Sequence, residues 1–154
     1  MKVMSKTLVV LAVLVGFSVL IGLAFAQFAR PQDAIKYRKS VMFMISQHFS
    51  RLGAMVKGAQ PYDQDTFAGN ASIVETLSAL PWEAFLAAGS DRGDTTMKSS
   101  VLKNPAEFKD ISQNFRREIG SLARAANGGD LDAVKRQFGA VAKSCKDCHS
   151  KFRK

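Results

Sequence analysis

The chain has 154 residues, with 22 Lys and Arg against 13 Asp and Glu, a formal charge of +9 at pH 7, two cysteines and two histidines. That length suffices for one domain around one modest core. The basic balance suits acidic partners or anionic surfaces, but there is no dense Lys/Arg run, no stacking set of exposed aromatics and no reader motif, which argues against a nucleic-acid module.

Residues 1–26 read as a secretory signal peptide: Lys2 and Lys6 precede an almost wholly apolar run from Thr7 to Ala24, and Ala24-Phe25-Ala26 is a small-x-small cleavage site. A retained membrane anchor is the alternative, because the run of roughly eighteen residues approaches a span. Cleavage after Ala26 leaves 154 − 26 = 128 residues and, with two lysines gone, a charge of 9 − 2 = +7. Export would deliver the chain to an oxidising compartment, where a cysteine pair becomes a disulfide unless something captures it first.

Residues 27–154 form one domain and read as four helices. Arg30-Pro31 opens the first, and Ile35, Met42, Ile45, Phe49, Leu52 and Val56 recur at steps of three and four until Lys57-Gly58. Val41, Met44 and Met55 widen the buried face, and Arg38 occupies one position of the apolar stripe. The second helix begins near Asp65 or Thr66, carries Phe67, Ile73, Val74, Leu77 and Leu80 on its apolar face, and is ended by Pro81. An irregular stretch follows from Trp82 to Asn104, longer than a usual bundle connection. Its Trp82, Phe85 and Leu86 either fold back as a lid or simply fill the end of the core.

The third helix has a capping-box start, Asn104-Pro105 with Glu107 three residues beyond the cap, and an apolar line of Phe108, Ile111, Phe115, Ile119 and Leu122. Asn127-Gly128-Gly129 stops it, and Asp130 caps the fourth. The fourth helix has its stripe at Leu131, Val134, Phe138, Val141, Cys145 and Cys148. The two cysteines therefore continue a core-facing line. Short turns make the first and second helices, and the third and fourth, antiparallel neighbours, so the expected fold is an all-α, antiparallel four-helix bundle.

Cys145, Cys148 and His149 spell Cys-Lys-Asp-Cys-His, the attachment pattern of c-type haem. Two thiols can add to the two vinyl groups of one haem, and the adjacent imidazole can reach the iron from the same side. The alternatives are a redox dithiol, half of a zinc site, a tail disulfide, or a helical binding protein that merely contains the motif. A zinc site lacks a fourth ligand, since the only other histidine is His48, far upstream.

With these residues on a final bundle helix, the chain resembles cytochrome c-prime, the class II c-type cytochromes of bacterial periplasms. The resemblance covers Gln27 to Lys154. Its marks are Gln27-Phe28-Ala29-Arg30-Pro31, Asp33-Ala34-Ile35-Lys36-Tyr37-Arg38, Lys57-Gly58, Leu80-Pro81-Trp82 and Ala142-Lys143-Ser144-Cys145-Lys146-Asp147-Cys148-His149. It implies one covalent haem c per subunit, a periplasmic location and a homodimer through the first two helices. It also implies His149 as sole axial protein ligand of a mainly five-coordinate, high-spin iron, nitric oxide and carbon monoxide as gas ligands, and an unidentified redox partner. Met42 falls where the family places the residue that crowds the distal haem face. It is a steric wall or a sixth ligand, the latter giving a six-coordinate, low-spin electron carrier. For Arg38 the resemblance implies a haem propionate contact, which a planar guanidinium suits; a rim arginine is the alternative. Arg153 matches a family arginine beside the proximal imidazole, and Phe152 keeps the aromatic ring found before it while losing the hydroxyl of a Tyr. His48 is an alternative ligand or a surface residue. No carboxylate pair or Ser-His-acid set suggests an enzyme.

Overall fold

The computed structural model describes residues 27–154, so the signal-peptide expectation for residues 1–26 lies outside the described residues. Four long helices, α1 (Pro31–Val56), α2 (Gln64–Leu77), α5 (Pro105–Gly128) and α6 (Leu131–Phe152), build a four-helix bundle. Two short helices, α3 (Trp82–Leu86) and α4 (Ser100–Lys103), lie inside the connection expected to be irregular.

The helix ends follow from local chemistry. Pro31 opens α1 without a side-chain cap bond. Asp63 caps α2 by accepting from the Thr66 amide at 2.8 Å. Asp130 caps α6 through the Asp132 and Ala133 amides. Gly129 ends α5 at φ 76°, a left-handed conformation that glycine adopts without the Cβ clash other residues meet. The capping box at α5 does not form. Asn104 Nδ2 instead turns back to the Ser100 carbonyl at 3.0 Å, and Glu107 pairs with Lys151 of α6. Likewise α2 ends at Leu77, before Pro81 could stop it, with Ser78 as its C-cap.

The main core gathers Leu52, Phe67, Val74, Ile119, Leu122, Val134 and Val141, all fully buried. A smaller cluster of Met97, Val101, Phe108 and Phe152 sits at one end. Trp82 packs against both clusters, edge-on to Phe108 and to Phe115 at 6.0 Å each. It therefore fills the end of the core, whereas Leu86 of the same turn is exposed. Met44, Ile73 and Leu80 depart from their expected burial, at 41%, 43% and 40% exposure. Met44 and Ile73 sit at the edges of their helices' stripes, and Leu80 lies past the end of α2.

Helix packing is uneven around the bundle. The α1–α2, α2–α5 and α5–α6 pairs pack extensively, whereas α1 and α6 touch in few places. One meeting point is aromatic: Phe49 and Phe138 stack at 4.4 Å between centroids, 7° from parallel. The Phe138 ring also lies where a Cβ on Gly53 would meet it at 3.2 Å. Glycine at position 53 thus lets the two helices approach here.

Arg38 fastens the long connection to α1. It is 2% exposed. Its Nη1 donates to the Ala84 carbonyl and to Ser90 Oγ, both at 2.8 Å. Its Nη2 donates to the Ser90 carbonyl at 2.5 Å and to Thr95 Oγ1 at 2.8 Å. The guanidinium carbon also lies 4.9 Å from the centre of the Phe85 ring. Replacing Arg38 by Ala leaves the buried Ser90 carbonyl without a donor, at about 1–3 kcal/mol, and the Ala84 carbonyl with only the long 3.4 Å bond from Ser90 Oγ. Urea denaturation should show a lower midpoint for Arg38→Ala, and Arg38→Lys should recover only part of it, because one ammonium cannot span four acceptors.

Candidate functional site

The fourth bundle helix brings Cys145, Cys148 and His149 onto its final two turns, held by its stripe of Val134, Val141 and Ser144. Ser144 is buried and donates to the Val141 carbonyl at 2.7 Å, keeping its hydroxyl within the helix. Both cysteines are half-buried free thiols. Cys145 packs against the main core and Cys148 against the smaller cluster. The two sulfurs therefore bracket the junction of the two apolar clusters.

Electrostatics suits these groups to haem rather than to a bare cation. Burial pushes the Cys145 thiol up, and burial followed by the neighbouring Cys145 pushes Cys148 up to about 11. His149 is exposed as a residue, yet its ring lies among enough protein atoms that desolvation, then the charge of Arg153, lowers its pKa. A neutral imidazole keeps a lone pair for a metal. Among the described residues no group of three or more His, Cys, Asp and Glu could hold a metal ion alone. Two protonated thiols and one neutral imidazole within five residues fit the vinyl groups and iron of a single haem.

The remaining candidates fall on or around the same seam. Close approach at Gly53 and Phe138 sets the register of α1 against α6. The helices run antiparallel, since Arg38 near the start of α1 binds Thr95 and the following Met97 pairs with Arg153 at the end of α6. Met42 is 53 − 42 = 11 residues before Gly53, and His149 is 149 − 138 = 11 residues after Phe138. Equal rise per residue places Met42 and His149 at one level of the bundle. Met42 is partly buried against the main core, as is Cys145.

Arg38 carries a buried charge with no carboxylate within ion-pair distance among the described residues, and burial lowers its pKa, with distant Asp91 opposing. Its Nε–H has no protein partner among the described residues. A buried cation of this kind suits a carboxylate such as a haem propionate. Arg153 is exposed one turn beyond His149 and acts on it through charge. His48 lies apart from these groups. Its Nδ1 is 2.8 Å from Asn70 Oδ1, which ties α1 to α2.

The sequence reading missed Ser90, Thr95 and Met97. They sit in a polar, aperiodic segment whose partners appear only when α1 and the end of α6 are in place.

Comparison with known proteins decides the family. The Cytochrome C' family profile matches residues 33–153. The chain belongs to the cytochrome c' family. It is 43% identical over 128 residues to cytochrome c' of Alcaligenes xylosoxydans xylosoxydans, covering 83% of this chain and 98% of that protein. Cytochrome c prime from Shewanella frigidimarina superposes with a TM-score of 0.80 at 37% identity, covering 82% and 98% of the two chains. Solved structures of the Alcaligenes protein include one variant with bound carbon monoxide and a ferrous variant with bound NO. Each has a TM-score of 0.77, at 42% and 41% identity, and covers 82% of this chain and 98% and 99% of the respective solved chains. As a cytochrome c' with the Cys145–Cys148–His149 motif, this protein carries covalently attached haem c.

The raised thiol pKa makes a pH prediction. In the haem-free chain, Cys148 is a neutral thiol until the pH nears about 11, and the reactive thiolate accumulates only above that value. Iodoacetamide labelling read by peptide mass should therefore keep accelerating well past the ordinary thiol range at Cys148. In urea-unfolded chain it should level off near an ordinary pKa of about 8.5.

Proposed function

We propose that this cytochrome c' is an exported haem protein that binds small gases, nitric oxide and carbon monoxide, and passes single electrons. Its iron is held by His149 and is mainly five-coordinate and high-spin. The observation that carries the reading is the placement of Met42 level with His149 across the α1–α6 seam. Haem supplies the iron that binds gas and changes redox state; the residues decide access and orientation. Cys145 and Cys148 tether the ring, His149 offers a neutral imidazole, and the Met42 side chain screens the opposite face. The free Nε–H of Arg38 holds a propionate. Gas binding is supported by the carbon monoxide- and NO-bound relatives. On this reading the protein is a binder and carrier, not an enzyme.

The same level placement favours a second reading, in which the Met42 thioether is itself the sixth ligand and the protein is a low-spin electron carrier. Substitution separates the two. If Met42 is a wall, ferrous protein binds carbon monoxide, and Met42→Ala speeds association by about tenfold or more, equivalent to about 1.4 kcal/mol of barrier. If Met42 ligates, the unaltered protein ignores carbon monoxide and its methionine–iron absorption band disappears in Met42→Ala. Stopped-flow absorption spectroscopy reads both.

Export to the periplasm rests on the leader-like pattern of residues 1–26. Membership of a family of c-type cytochromes supports it. A homodimer through α1 and α2 is supported by their uncovered apolar side chains: Phe43 at 62% exposure, with Met44 beside it, and Ile73 on α2. Native mass spectrometry tests both. The expected species is a dimer of chains that begin at Gln27, each carrying one haem, and Phe43→Glu should give the monomer.

A further inference from the structure

The last turn of α6 presents a structural difficulty. Helix C-termini fray because their final carbonyls lack intrahelical donors. His149 sits in that turn, so a frayed end would leave the imidazole free to swing. The structure supplies the missing donors from an unexpected place. Lys98 N donates to the Phe152 carbonyl at 2.8 Å, and Lys154 N donates to the Thr96 carbonyl at 2.8 Å. Between them Met97 and Arg153 form an antiparallel bridge. Lys98 Nζ donates to the Ser150 carbonyl at 3.1 Å, and Arg153 N to that of His149 at 3.0 Å. Apolar packing backs the pairing: Met97 and Phe152 are buried in one cluster, with Phe152 edge-on to Phe108 at 5.5 Å.

The segment that makes these bonds is itself pinned. Thr95 Oγ1 accepts from Met97 N at 3.1 Å and from Arg38 Nη2 at 2.8 Å. Arg38 lies one helical turn before Met42 on α1. An unbroken path of hydrogen bonds and backbone therefore runs from the α1 face of the seam, through Arg38, Thr95 and Met97, to the turn that bears His149.

We propose that Thr95–Lys98, pinned by Arg38 and paired with Phe152–Lys154, is a strap that positions the His149 imidazole toward the haem iron and sets the strength of that bond. Thr95, Met97 and Phe152 are positioning residues: they act through the backbone of the last turn and lie outside the attachment motif. Partners of this kind orient metal ligands and tune the metal they hold. The inference rests on His149 as the axial ligand.

The test uses the holoprotein and two conservative variants. Thr95→Val keeps the shape and removes the shared acceptor; Phe152→Leu keeps an apolar side chain and loosens the ring packing. Val134→Ala, at the far end of the same helix, is the control for general loss of stability. The readouts are the iron–imidazole stretching band in resonance Raman spectra of the ferrous protein, and amide exchange at Lys98 and Lys154. Both strap variants should lower the band frequency and speed exchange at these two amides by about tenfold, the change that goes with losing one hydrogen bond. Val134→Ala should do neither. An unmoved band in both strap variants, even with faster exchange, overturns the proposal. A parent protein with no iron–imidazole band at all overturns the five-coordinate His149 reading on which the proposal rests, a separate and recognisable failure.

Discussion

The constraint on which the structure depends is the uneven closure of the bundle. Three of the four neighbouring helix pairs bury their stripes in one another, while α1 and α6 meet sparsely. Where they do meet, Phe138 stacks on Phe49 and lies over Gly53, which offers no side chain to resist it. A side chain at position 53 would push the helices apart or force the ring to shift, because packed interiors leave no room for even one added carbon. That contact also fixes the register, and the register brings Met42 to the level of His149. A packing detail well away from the attachment motif thus decides which α1 side chain lies level with His149.

A second constraint is the charge buried in Arg38. A guanidinium cannot shed its proton to escape desolvation, so it must be surrounded by acceptors. Ala84 within α3, and Ser90 and Thr95 in the polar segment after it, supply them. The need to satisfy one buried cation therefore shapes a segment with little apolar periodicity of its own. The same bonds leave its Nε–H without a protein partner among the described residues.

The tail shows how a helix end becomes a precise support. Phe152 anchors the last turn in a small apolar cluster distinct from the main core. The backbone on either side of it pairs with Thr96 and Lys98. His149 itself is exposed at the rim. Rigidity has to come from its neighbours, and it comes from both sides of the chain.

The sequence by itself determined the four long helices, the attachment motif and the core-facing line that carries both cysteines. These are local properties: periodicity, caps and adjacent residue types act within a few turns. It misjudged Met44 and Ile73, because periodicity defines a stripe but not which of its edges a neighbour covers, and Leu80, because α2 ends before it. The failed capping box is a similar case, since Glu107 found Lys151, 44 positions away, a better partner than its own helix end. Only the tertiary structure decided the level of Met42 against His149, the acceptors around Arg38 and the pairing of Met97 with Arg153. Each of these joins segments far apart in the chain, and no local pattern encodes a contact whose energy exists only after the helices have packed.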